Sequence, residues 1–91
     1  MDQFLFLAQV RSLIRTKFRG FGAPAQSFPA EALLIREGFY CGRRFSCDGL
    51  HAVWFVEENE IKFYDRDGTI IEVVDATPEN LPPAAVLRNA A

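Results

Sequence analysis

Two cysteines, Cys41 and Cys47, stand with Asp48 and the chain's single histidine, His51, beside the adjacent arginines Arg43 and Arg44. Cys, His and Asp are the residue types of a zinc site, or of a thiol nucleophile with its base. Their spacing argues against both. The stretch from Phe39 to Tyr64 alternates like extended chain, which sets the two sulfurs roughly 20 Å apart, beyond the reach of one ion or one disulfide. Cys47 and His51 point to opposite faces, and only Ser46 falls opposite His51. These groups read as two small packed thiols and one packed or solvated histidine. No catalytic residue, metal ligand or cofactor site is expected.

The remaining charged groups fare similarly. Arg43 is a cation at an inward position among Cys41, Phe45 and Trp54, and its expected role is to stack on the indole. Arg44 is expected opposite Glu31 in the first hairpin. In a functional reading, Arg43 and Arg44 project from both sides of one strand and contact an anion. Asp65-Arg66-Asp67-Gly68 resembles the start of a calcium loop, but Ile70 and Ala76 occupy the positions that need Gly and Glu, so it reads as a turn. Glu57, Glu58 and Glu60 form a solvated hairpin tip. Gly20-Phe21-Gly22 lacks the flanking strand and helix of a phosphate loop.

Elements must hold these residues. From Phe4 to Phe18, the residues Phe6, Leu7, Val10, Leu13, Ile14 and Phe18 fall on one arc at about 100° per residue, bordered by Arg11, Arg15 and Arg19. This is an amphipathic helix over 1–19, ended by Gly20 and Gly22. Residues 20–30, with Pro24 and Pro29, are a linker that Phe21 and Phe28 could anchor. An antiparallel meander follows over 31–75, with strands near 31–36, 39–47, 50–57, 60–65 and 69–75. Its turns are Glu37-Gly38, Asp48-Gly49, Glu58-Asn59 and Asp67-Gly68. The Pro-rich remainder, 76–91, is expected to be a flexible tail. The whole is a single α+β domain.

The turns imply a register. A two-residue turn at Asp48-Gly49 sets Phe45 against Ala52 and Arg43 against Trp54, and one at Glu58-Asn59 sets Trp54 against Phe63. A three-residue loop at 66–68 sets Phe63 against Ile71 and Lys62 against Glu72. The face expected under the helix comprises Leu34, Cys41, Phe45, Leu50, Ala52, Trp54, Val56, Ile61, Phe63, Ile71 and Val73. The opposite face carries Leu33, Ile35, Tyr40, Arg44, Ser46, His51, Val53, Phe55, Lys62, Tyr64, Ile70, Glu72 and Val74. It is too apolar for a plain solvent face, so either the sheet curls into a partial barrel or this face meets a partner.

Composition narrows the partner. The net charge of −2 conceals a first half, residues 1–44, with seven cations against three carboxylates, and a second half with three against nine. No run reaches the roughly eighteen apolar residues of a membrane span. The acidic Asp2 and the interrupting Arg11 argue against a secretory signal, so a cytoplasmic chain with reduced thiols is expected. The function these readings favour is a non-enzymatic module that binds a protein partner, or itself as a homo-oligomer. Its contact face would be Tyr40, Arg44, His51, Val53, Phe55, Lys62 and Tyr64. One alternative is single-stranded nucleic acid, with Tyr40, Phe55 and Tyr64 stacking on bases while Arg44, Lys62 and the helix arginines hold phosphates. On that reading Arg11, Arg15, Arg19, Arg43 and Arg44 are the anion contacts. A second alternative is peripheral membrane association through the basic amphipathic helix.

Overall fold

The apolar arc of the first helix is spent inside the protein. A computed structural model describes residues 3–24, 26–77 and 81, and shows α1 (Gln3–Gly20) followed by five strands. These are β1 (Ala30–Arg36), β2 (Phe39–Cys47), β3 (Leu50–Phe55), β4 (Glu60–Tyr64) and β5 (Ile70–Asp75), lying side by side in chain order and all antiparallel. Val10, Ile14 and Phe18 of α1 are buried with Phe45, Leu50, Ala52, Trp54, Ile61 and Phe63 of the three central strands. Aromatic edges lock this layer together: Phe18 and Phe21 both meet the Phe63 ring edge-on, at 6.1 and 5.7 Å between centroids. Phe6 packs on Trp54 at 5.6 Å. The result is the α+β meander expected, and the sheet is not closed into a barrel: β1 and β5 are its two edges.

Gly22 ends the helix. The Ala23 N–H reaches back to the Phe18 carbonyl and the Gly22 N–H to that of Arg19, with Gly22 at φ 109°. This is a Schellman cap, which satisfies the last carbonyls and sets buried Ala23 against buried Phe18.

Two turns follow the simple rule. Glu37-Gly38 and Asp48-Gly49 both have positive φ at each position, 51° and 83° in the first and 55° and 83° in the second, as tight hairpins require. Between β3 and β4 the expectation fails. The loop is four residues, Val56 to Asn59, so Trp54 faces Ile61 and Ala52 faces Phe63. Asn59 explains the longer loop. Its side chain accepts from Trp54 Nε1 at 3.3 Å and donates to the Ala76 carbonyl at 2.8 Å, while its own carbonyl accepts from the Ala76 N–H. A shift of two residues keeps every side chain on its expected face.

The outer hairpins differ by one residue, and both for the same reason. Their turns are as expected: Asp65 pairs with Thr69 across a three-residue loop, braced by the Asp65 carboxylate on the amides of Asp67 and Thr69. A bulge then intervenes. Ile71 is an extra residue in β5, so Phe63 faces Glu72 and Lys62 faces Val73. Cys41 is an extra residue in β2, so Leu34 faces Gly42, Leu33 faces Arg43 and Glu31 faces Phe45, leaving Arg44 opposite Ala32.

These bulges exchange the faces of β1 and of β5 beyond Ile70. Ile71 and Val73, expected in the core, are 41% and 48% exposed, and Leu34 shares the outer face with Gly42 and Phe55. Glu72 and Val74 take the helix side instead, where Glu72 meets Lys17 of α1 at 2.6 Å and Val74 packs on the core. The inward carboxylate is tolerated because the helix supplies its cation. The flexible tail falls on residues outside those described, apart from Ala76, Thr77 and Leu81. Of these, Ala76 and Leu81 are buried in the core.

Candidate interaction surface

The face turned away from α1 is ordered by strand pairing into three transverse rows. The first runs Ala30, Ser46, His51, Tyr64, Ile70; the second Ala32, Arg44, Val53, Lys62, Val73; the third Leu34, Gly42, Phe55, Glu60, Asp75. Six of the seven residues expected to form a contact face are therefore brought together. His51 and Arg44 are exposed, while Val53, Phe55, Lys62 and Tyr64 are half-buried. Phe55 lies beneath its own cations, with Lys62 Nζ 5.4 Å and Arg36 Cζ 5.8 Å from the ring centroid. Tyr40 is drawn elsewhere. Its hydroxyl accepts from Arg43 Nε at 3.2 Å, on the helix side of the sheet, although it still borders a shallow hollow with Phe39, Cys41 and Phe55.

The five arginines considered as anion contacts do not converge. Arg11 grips the Glu31 carboxylate with two nitrogens, at 2.8 and 3.0 Å, and Arg43 Nη1 reaches the same carboxylate at 2.5 Å. Arg43 thus binds Glu31 and Tyr40 rather than stacking on Trp54. The hydrogen bond from Arg11 is the largest influence on Glu31, and with that from Arg43 it holds the carboxyl below its ordinary range against the opposing effect of burial. Burial weakens the Arg43 charge, but its hydrogen bonds to Tyr40 and Glu31 outweigh that and raise its pKa. Arg15 stacks on Phe28 at 4.5 Å, with its Nε buried and unpaired. Arg19 and Arg44 are exposed at separate places. Both cysteines are free and half-buried, Cys41 in the bulge and Cys47 against the core. Among the described residues no three His, Cys, Asp or Glu side chains are placed to hold a metal ion, and no helix is long and apolar enough to cross a membrane.

A second apolar region lies at the β1 edge, where the bulge moves Leu33, Ile35 and Tyr40 from the outer face on which they were expected to the helix side. Phe28, Leu33, Ile35, Phe39 and Tyr40 are 73%, 55%, 52%, 74% and 45% exposed, and all five lie on or beside β1. The run Leu33-Leu34-Ile35 carried the signal. Three consecutive apolar residues in a strand cannot all face one layer, and α1 packs on the central strands instead. Known family models, curated proteins and solved structures give no match to this chain.

Proposed function

We propose that the chain is a non-enzymatic interaction module that binds protein through the sheet face its helix leaves open. One observation carries this reading. The helix covers a single face, and the opposite face sets Arg44, His51, Val53, Lys62 and Tyr64 on adjacent strands with no element of the described chain over them. Tyr64 and Arg44 beside apolar Val53 are residue types enriched at protein contacts. A photo-crosslinking residue at Arg44 or His51, both exposed, should yield adducts of discrete mass in cells, while the same residue at the helix position Thr16 should not. Equal adducts at all three positions, or none, would refute the reading.

Single-stranded nucleic acid is the second reading, supported by the row in which Arg44 and Lys62 flank Val53, next to the Tyr64 row. It requires salt-sensitive oligonucleotide binding that Arg44→Glu weakens. Against it, Phe55 is engaged by Arg36 and Lys62. A membrane role for α1 loses its main support, because the apolar arc packs on the sheet.

A further inference from the structure

The two edges of the sheet are built differently. An edge strand offers unpaired N–H and C=O groups to another chain, and proteins guard against this with bulges, charges or proline. β5 has such guards: the Ile71 bulge interrupts its ladder, and it carries Glu72 and Asp75. β1 has none along its length. Its nearby bulge lies in β2, and its one carboxylate, Glu31, is held by Arg11 and Arg43, which leaves Arg36 at its end as its other charge. Six of its seven residues are exposed, and among the described residues no strand pairs with its outer edge.

We propose that β1 pairs antiparallel with β1 of a second copy of this chain, joining two sheets across a two-fold axis. The edge is self-complementary, because Leu33 and Ile35 lie two residues apart on one face and exchange places under a two-fold axis through Leu34. In a continuous two-fold sheet, residues directly opposite one another share a face, so only alternate registers are allowed. An axis through Leu33 would set Glu31 against Ile35 of the second copy. An axis through Leu34 instead sets Leu33 against Ile35, Ile35 against Leu33 and Leu34 against itself. The side chains that are 55% and 52% exposed at this edge then cover each other. Ala32 faces Arg36 at each end, and the ladder stops there because Glu37, at φ 51°, already turns the chain away. A ladder this short buries less than a standard interface, so the dimer is weak and concentration-dependent. This inference rests on the edge alone and not on the outer face.

The test is sedimentation equilibrium of the full chain from low micromolar to low millimolar concentration. A monomer–dimer equilibrium is expected. Ile35→Lys should weaken it by about tenfold or more, whereas Val73→Lys on the opposite edge should leave it unchanged. Isotope-filtered NOEs in a mixed-label sample should join Leu33 of one copy to Ile35 of the other. A chain that is monomeric at every concentration overturns the proposal, as does a monomer that instead takes up an added extended peptide along β1. A dimer that Ile35→Lys spares and Val53→Asp dissolves also overturns it, and would place self-association on the outer face.

Discussion

Replacing Gly42 by alanine probes the packing of the sheet most directly. A Cβ at this position would collide with the carbonyl oxygen of Trp54, and the next atoms it meets, Trp54 C and Phe55 Cα, are also backbone. No side chain can swing aside. Relief requires β3 to move away from β2 where Gly42 pairs with Phe55, beside the largely buried Trp54. Overpacking of a well-filled site typically costs 1–3 kcal/mol, and backbone obstruction puts this substitution near the top of that range, at about 3 kcal/mol. For a domain of this size that corresponds to a fall in Tm of roughly 12–24 °C. Urea unfolding followed by the fluorescence of the single Trp54 measures it. Gly20→Ala is the control, since a Cβ there meets nothing within 4 Å and alanine in a helix should be neutral or stabilising by up to about 1 kcal/mol. If Gly42→Ala unfolds within about 0.5 kcal/mol of the parent, the close approach of β2 and β3 is wrong.

The remaining predictions concern the polar braces. Glu31 has a depressed pKa in the folded state, so its contribution is complete above its ordinary 4.5 and is lost as pH falls through the lower folded value. Glu31→Gln should therefore be less stable than the parent at neutral pH, and the gap should close in acid. Parallel unfolding curves at all pH values would show that the Arg11–Glu31–Arg43 cluster contributes nothing. Asn59→Ala removes the acceptor for Trp54 Nε1 and the donor to the Ala76 carbonyl, and it puts alanine at φ 54°. A loss of about 2 kcal/mol with a changed near-ultraviolet Trp signal is expected. Asn59→Gly, which relieves only the backbone, should recover part of the stability and none of the signal.

What could be read from the sequence was what is encoded locally. The helical spacing of Val10, Ile14 and Phe18 led directly to the core, and Asp48-Gly49 gave a turn whose φ values its residue types demand. Arg44, Val53 and Lys62 share the expected face despite the longer loop at Asn59, because a two-residue shift changes the pairing and preserves the faces. The bulges at Cys41 and Ile71 were not legible, since they answer to distant groups. One accompanies the approach of Gly42 to the Trp54 carbonyl, and the other turns Glu72 toward Lys17, fifty-five residues away in the chain. A glycine inside a strand is a known mark of a bulge or close approach, so Gly42 could have warned of the first. Glu72 gave no such notice, because nothing in its own neighbourhood names its partner.

The placement of the two bulges bears on how the molecule comes apart. They separate both outer strands from a kernel of α1 and β2–β4, and no residue of β1 is fully buried. Amide protons of β3 should exchange only through global unfolding, while those of β1 should exchange through a local opening of much lower free energy. The other edge is less independent, because Asn59 links Ala76, just beyond β5, to the Trp54 indole. Fraying of β5 would thus reach the tryptophan, whereas β1 could peel away and re-form without any change in its emission.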